Sequence, residues 1–533
     1  MELPRHTLIE PAPSGAAITG RERAGAALIV AGAFAVVLAW APSRLFDLER
    51  YLVPKALALH VVALGLMGLG LVPLRRSAWG RTGLLLAAFV GWSALAVLLA
   101  TNRWLALEGW GISFSAVVVF LAARALPARL RTTVLAGILG AAVVGASLGV
   151  AQAYGLEGAW LSDSRPPGGT FGNRNFLGHL SAIAAPALLM AALHARRRRS
   201  WTLALIGIAI VTDAVVLTRS RAAWLGGVAG VACALIGAWS ARRWDRGSPV
   251  ATLPARRIWT GAAVMAGAIA LAVLVPNQLD WVTDTPYAAT LENLAEYQEG
   301  SGAGRLVQYR TSLALVPGDP LFGVGPGNWF VHYPRVTKPG DPAYAGGDMI
   351  PTNPWPSSDW VAFLVERGAL GALLLLLAGA SAVADALRGP DERNDPPAAG
   401  AVAGLLAAAL VCGTFDAVLL LAAPSLLVFA AVGLLSPAVE EHGLVQPPGI
   451  GARAAGLAVA LTLVLYTGAH TTAVVLTAEG SGTAVLAGAA RWAPGEHRLR
   501  LALAQRGRCA DARAAGRLMP HHARVKRLLE RCG

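Results

Sequence analysis

What most constrains this chain is the recurrence of apolar runs along nearly all of its 533 residues. An α-helix rises 1.5 Å per residue, so about 20 apolar residues cross the ~30 Å hydrocarbon core of a bilayer. Runs of about that length lie at roughly 25–42, 56–74, 82–100, 110–126, 132–154, 175–195, 201–218, 222–240, 258–276, 367–387, 398–415, 417–436 and 454–476. The expected fold is all-α, a polytopic transmembrane helical bundle of about 12–13 spans. The stretch 398–436 also reads as one broken helix. Only 14% of residues are charged, against about 25% in soluble domains, so much of the surface faces something other than water. Ala and the chain's 60 Gly fill the runs, which lets helix backbones approach closely in lipid.

Loops rich in Lys and Arg face the cytoplasm. Arg75, Arg76 and Arg81 follow the second run, and Arg124, Arg129 and Arg131 the fourth. Arg196 to Arg199 follow the sixth, and Arg242, Arg243, Arg246, Arg256 and Arg257 the eighth. These alternate loops share one side, and the polar segment 1–24 lies with them; no cleavable signal peptide is expected. The opposite side receives the loop 155–174, the turn Thr218-Arg219-Ser220-Arg221 and the segment 277–366. A connection of about ninety residues is as a rule functional or disordered. Trp281, Tyr287, Tyr309, Trp329, Tyr333 and Trp355 predict that this one folds over the membrane surface.

An odd number of spans puts residues 477–533 outside as well. This tail reads as short helices: one beginning at Trp492 and broken at Gly507, one over Ala510 to Leu518, and one opened by Pro520. It resembles a single tetratricopeptide-type hairpin, which cannot bury a core alone and must dock on the outer loop or on a partner. Cys509 and Cys532 form either a disulfide, in an oxidising compartment, or two free thiols. Cys233 and Cys412 lie in apolar runs and read as core.

A net charge of +14 would suggest nucleic acid in a soluble chain. Here loop arginines and a basic site for an anionic substrate account for it, and no nucleic-acid partner is expected. The chain has no P-loop, Rossmann fingerprint, zinc-ligand spacing or nucleophile elbow. No cofactor or metal is therefore expected, and ATP-driven or redox chemistry lacks support.

Charges beside spans are costly and mostly functional. Arg165, Arg174, Arg219, Arg221, Arg305, Arg310, Arg335 and Arg367 lie on the outer side, against the positive-inside bias. Snorkelling explains single arginines. Guanidiniums gathered at outer helix ends suit phosphate or pyrophosphate, to which their planar forks donate paired hydrogen bonds. The glycine-rich stretch 165–176 opens the sixth span and offers free helix N-terminal N–H groups to an anion. Within the runs, His60, His179 and Asp213 are expected to satisfy neighbouring helices. Asp213 would orient the Arg219–Arg221 pair, and Asp416 would mark the turn between the eleventh and twelfth spans.

Four motifs in order carry a family resemblance. Gly169-Thr-Phe-Gly-Asn-Arg-Asn-Phe-Leu resembles the "GTFGNPNFLA" segment of the O-antigen ligase and O-antigen polymerase superfamily, and Arg219-Ser-Arg221-Ala-Ala-Trp-Leu-Gly its "SRxxxLG" turn. Gly304-Arg305-Leu, with Pro320-Leu-Phe-Gly-Val-Gly-Pro-Gly-Asn-Trp-Phe and Tyr333-Pro, is similar to its large periplasmic loop. Glu366-Arg-Gly-Ala-Leu-Gly matches the end of its next motif. The resemblance spans about 25–440, with 277–366 as periplasmic loop, 441–476 as linker and last span, and 477–533 as the tetratricopeptide-like tail.

The resemblance implies a metal-independent membrane glycosyltransferase in the bacterial inner membrane, with a periplasmic active face. It would take a glycan from undecaprenyl pyrophosphate and pass it to a hydroxyl on lipid A-core, a glycan or protein. It implies that Arg221 and Arg305 grip the pyrophosphate and neutralise the leaving group, with Asn173 and Asn175 shaping the site. Arg174 stands where the family carries proline and is a third candidate; Arg219 and Glu366 belong to the same motifs. The family's "HNxYLxxxAE" histidine is replaced by Ser357, a poor base. Asp359, two residues on, or His332 would then activate the acceptor; both also read as structural, Asp359 favoured at a helix N-terminus. Ligase and polymerase are not separated by these motifs. A lipid-linked glycan flippase or transporter, and a non-catalytic glycan-lipid-binding protein, are the competing classes. Transporters bind near the midplane between repeated halves, whereas no internal repeat is evident and the charges sit at outer helix ends.

Overall fold

The computed structural model describes residues 17–73, 76–244, 255–293, 300–344, 354–388, 395–437 and 450–532. Arg75, Arg246 and the first sixteen residues, all expected on the cytoplasmic side, lie outside the described residues. Among the described residues the regular elements are all helical. The apolar runs become α1 (Gly20–Leu38), α2 (Glu49–Gly68), α3 (Gly80–Leu99), α4 (Arg103–Ala125), α5 (Ala128–Ala153), α6 (Arg174–His194), α7 (Arg198–Leu217), α8 (Arg221–Trp244) and α9 (Ala255–Leu274). After the long loop come α13 (Asp359–Arg388), α14 (Pro396–Phe415), α15 (Ala422–Leu435) and α16 (Ile450–Leu476). Eleven of the described helices are long and apolar enough to cross a membrane, and α1 and the shorter α15 pack into the same core. The protein is an all-α polytopic membrane protein.

Three helices start about two turns before their apolar runs, because their first turns carry buried polar groups that the bundle satisfies. In α2, Arg50 donates to the Tyr51 hydroxyl (2.5 Å) and the Ala159 carbonyl (2.6 Å), and Lys55 to the carbonyls of Val37 (2.8 Å) and Ala39 (2.9 Å). Asn102 caps α4, accepting from the N–H groups of Trp104 and Leu105. Asp359 opens α13 before the run expected from 367. The stretch 398–436 is two helices joined by a turn at 416–421. Small residues set the helix spacing: along α8, Gly226, Gly230 and Gly237 face Ala408, Gly404 and Ala399 of α14, leaving no room for larger side chains.

One side of the bundle carries arginines on helix ends. Arg131 donates to the Leu126 carbonyl (2.8 Å) and the Ser436 carbonyl (2.7 Å), Arg257 to that of Leu193 (3.0 Å) and Arg453 to that of Gly68 (3.0 Å). Cations at helix C-termini offset the macrodipole and the unpaired carbonyls there.

The opposite side carries a helical layer. The long loop folds into α10 (Pro286–Glu292), α11 (Gly300–Leu313) and the single turn α12 (Trp329–His332), and the tail into α17 (Thr483–Trp492), α18 (His497–Gln505), α19 (Cys509–Leu518) and α20 (Ala523–Glu530). Trp492 thus closes a helix rather than opening one. Loop and tail share one apolar core: Trp329, Phe330, Tyr333 and Val365 pack with Leu501, Ala512, Met519 and Val525. Trp329 is fully buried and donates to the Ser312 hydroxyl (2.8 Å). Tyr333 donates to Asp341 (3.0 Å). Cys509 and Cys532 are disulfide-bonded, tying α19 to the end of α20.

The loop is also keyed into the bundle. At Gly368 α13 breaks, with φ 70° and ψ 176°. The segment 320–325 lies against the break: Val324 and Gly325 donate to the carbonyls of Val365 (2.9 Å) and Glu366 (3.0 Å), and Ala369 donates to Pro320 (2.9 Å). A Cβ at position 368 would collide with the Leu321 carbonyl oxygen, so only glycine serves there.

Candidate functional site: an arginine cleft at the outer helix ends

The turn between α7 and α8 is short enough that Arg219 takes a left-handed conformation, φ 51°, a strained state for a non-glycine residue that its surroundings must hold. They do so through its side chain. Arg219 Nε donates to the Thr290 hydroxyl of α10 (2.8 Å), and its guanidinium lies 4.6 Å from the centre of the Trp281 ring. Arg174, on the first turn of α6, lies 4.7 Å from the same centre. One indole therefore carries two cations, an arrangement that spaces them while leaving fork edges free to donate. Burial pushes the Arg219 guanidinium below its ordinary value, against the pull of Tyr287.

Arg221 opens α8 and donates to the Asn293 carbonyl (2.6 Å), so α10 and its end roof the turn. Arg174 is set by the loop before it. Ser162 N–H bonds the Gly169 carbonyl (2.8 Å), Gln152 bridges Gly169 N–H (2.8 Å) and the Ser162 carbonyl (2.6 Å), and Asn173 caps α6 through Asn175 N–H (2.9 Å). Gly172, at φ 76°, lets this loop pass against the Tyr51 ring, which a Cβ would meet at 2.6 Å. Arg305 reaches the same place from α11.

These side chains line one cleft of about 390 Å³, whose lining includes Arg165, Asn173, Arg174, Asn175, Arg219, Arg221, Asp280, Trp281 and Arg305. Among the described residues Arg165, Arg174, Arg219 and Arg305 have no carboxylate within ion-pairing distance. Cations gathered without paired counter-ions repel one another at a few ångströms. An incoming anion relieves that repulsion, and two helix N-termini, α6 and α8, add their dipoles. The cleft is thus suited to a multiply charged anion.

Three sequence candidates lie elsewhere. Asp359 is fully buried, and its two oxygens accept the N–H groups of Val418 (2.9 Å) and Leu419 (2.7 Å). It is a cap for the turn between α14 and α15, outside the lining of the cleft, and not a base facing it. That turn matters to the cleft indirectly, because Asp416 on it accepts from Asn175 Nδ2 (3.1 Å). His332 is engaged on both ring nitrogens, by Thr101 (3.0 Å) and Arg335 (3.2 Å), at the seam between the end of α3 and the tail. Glu366 accepts from Trp329 N–H (3.3 Å), neighbours Arg367 (3.5 Å) and lines a second cavity. Ser357 is buried, held through its N–H by Gln308 (2.8 Å) and through its carbonyl by Tyr309 (2.6 Å). Arg367 is a structural cation, donating to Gly109 (3.0 Å) between the Phe89 and Phe363 rings. Asp213 forms no ion pair with Arg219 or Arg221, and one of its oxygens has no hydrogen-bond partner.

Sequence reading does not reveal Asp280, the role of Trp281, or Thr290. Their segment follows α9 with no motif, and its one signal is the aromatic. An apolar chamber of about 440 Å³ also lies within the bundle, bounded by residues including Leu86, Phe120, Trp360, Leu375, Leu410 and Phe429.

Fold and cleft together define a multi-pass helical membrane protein that gathers cations at one end of its bundle. Residues 206–376 match the family model described as O-antigen ligase. The matched segment supports a place in the O-antigen ligase and polymerase superfamily, and it takes in Arg219, Arg221, Asp280, Trp281 and Arg305 of the cleft. No curated protein matches the chain.

Proposed function

We propose that the protein transfers a glycan from a polyprenyl pyrophosphate carrier to an acceptor hydroxyl on the periplasmic face of the bacterial inner membrane. The observation that carries this is the convergence of Arg174, Arg219, Arg221 and Arg305 from three separate chain segments on one cleft. Arg221 and Arg305 hold the pyrophosphate, while Arg174 and Arg219, spaced by Trp281, contact its remaining oxygens. Asn173 and Asn175 fix the α6 end of the cleft. The apolar chamber suits the polyprenyl chain, whose transfer from water favours such a lining.

The acceptor oxygen attacks the anomeric carbon as the bond from that carbon to the phosphate oxygen breaks. The acceptor proton passes to a base, and the pyrophosphate leaves with both bond electrons, stabilised by the arginines. We assign the base to Asp280, the one carboxylate among the described lining residues of the cleft, in place of Asp359. A carboxylate within reach of the hydroxyl fills that role. The disulfide in the tail suits an oxidising compartment, which supports a periplasmic outer face.

The test is glycan transfer in membranes with a lipid pyrophosphate-linked donor. Arg221→Ala and Arg305→Ala are each expected to lower the rate by about a hundredfold or more, the scale of a lost transition-state donor. Full activity in both, at wild-type expression, overturns the reading. A transport reading predicts instead that carrier movement survives without transfer.

A further inference from the structure

The second cavity, of about 130 Å³, lies where the tail meets the bundle, among the outer ends of α2 and α4, the start of α15, and α18. Its apolar walls include the rings of Phe330 and Trp355. Its polar wall holds four carboxylates, Glu49, Glu108, Glu366 and Glu496, beside Lys55, His470, His497 and Arg498. Arg498 pairs with Glu49, and His470 Nε2 lies 3.3 Å from Glu496, while His470 Nδ1, 3.6 Å from Glu108, makes no hydrogen bond. His497 is unpartnered on both ring nitrogens. Its Nδ1 lies 3.6 Å from Glu496, beyond hydrogen-bond reach. It is 4% exposed and lines the cavity.

A buried imidazole without a hydrogen bond is unfavourable, so a cavity with one in its wall suits a polar guest. Acyl chains would leave it unsatisfied. Of the four carboxylates, Glu366 is met by Arg367 behind the wall (3.5 Å) and the others face Lys55, His470 and Arg498, which disfavours a strongly charged guest of either sign, and among the described residues no cluster could hold a metal ion. A neutral imidazole offers one donor and one acceptor, as hydroxyl groups do. Burial keeps it neutral, pushing it down to about 3. Aromatic rings supply faces for C–H groups, and the volume suits a single ring. Trp355 of its wall sits 6.0 Å ring to ring from Phe176, the residue after Asn175 of the arginine cleft.

We propose that this cavity binds one neutral sugar residue of the glycan, with His497 and Glu108 taking its hydroxyl groups. The assignment of that sugar to a transferred or accepting glycan rests on the proposed transferase function; the binding itself does not.

The test is saturation-transfer NMR on the full chain in lipid nanodiscs, with glucose, galactose, mannose and N-acetylglucosamine as probes. At least one is expected to bind, with His497→Phe and Glu108→Gln weakening it about tenfold, a loss of about 1.4 kcal/mol. His497→Gln, which keeps a donor and an acceptor, is expected to retain most of the affinity, and Arg305→Ala all of it. No binding by any probe, or equal binding by His497→Phe, overturns the proposal whether or not transfer is observed. In transfer assays, a raised KM for acceptor in His497→Phe assigns the sugar to the acceptor, and a raised KM for donor assigns it to the donor glycan. Unchanged KM values for both, with the variant folded, overturn the site.

Discussion

At the scale of residues, Asp359 caps a turn, and the base role that the sequence offers to Asp359 or His332 is proposed for Asp280. Asp359 stands two positions from the family's histidine position, and that proximity in sequence makes it the candidate base. Its hydrogen-bond donors, the N–H groups of Val418 and Leu419, are about sixty residues away in the chain, so nothing local reveals its capping role. Asp280 lines the cleft, in a stretch without a motif. Asp359→Asn is expected to cost about 1–3 kcal/mol of stability, the scale of a weakened buried acceptor, while molecules that remain folded still transfer glycan. Asp280→Asn is expected to leave the melting temperature in place and lower transfer by about 10²–10⁴-fold, the range of general base catalysis. Paired thermal and transfer measurements on the two variants check both. The arginines themselves are legible, because guanidiniums on the side opposite the arginine-rich loops stand against the usual topological bias. Trp281 is legible only as an aromatic; its place between Arg174 and Arg219 depends on α6 and the α7–α8 turn meeting in space.

At the scale of elements, the spans are the most legible part, since the bilayer imposes length and apolarity on each. Starts are less so: Arg50, Lys55 and Asn102 satisfy buried polar first turns, which no hydropathy pattern marks. The tail is legible as short helices that must dock, but α17 is not, because it follows the last span closely and ends where the proline after Trp492 signals a helix start. The disulfide closes a separation of 23 residues. Replacing both cysteines with serine is expected to destabilise α19 and α20 by about 3 kcal/mol, by chain-entropy scaling, read as faster proteolysis of the tail. Acid should act on the same layer. Burial pushes His497 down to about 3 and His332 down to about 4, from a usual 6.5. The unfolded chain then binds more protons below about pH 6.5, so stability present above that value is lost as pH falls towards the folded values. Tail unfolding is expected at progressively lower temperature between about pH 6.5 and 4, with a shallower slope in His497→Gln.

At the scale of the whole molecule, the bundle and the outer layer are one structure joined at several points. Asn102 and Asn328 exchange hydrogen bonds (2.8 and 3.0 Å), His522 bonds the Phe330 carbonyl (3.1 Å), and Arg498 pairs with Glu49. Deleting residues 477–533 is therefore expected to uncover Trp329, Phe330 and Tyr333 and to lower transfer even though the arginine cleft contains no tail residue. Hydrogen exchange over 315–335 alongside a transfer assay checks this; unchanged protection there would show the tail to be an accessory. The docking seam also has a consequence in time. A chain made from its N-terminus delivers the long loop well before the tail, so Trp329 and its neighbours wait uncovered until α18 to α20 emerge. Those helices act as a closing step of assembly, and a chain that stops short of them would present an aromatic patch by which quality-control proteases can tell it from a finished one.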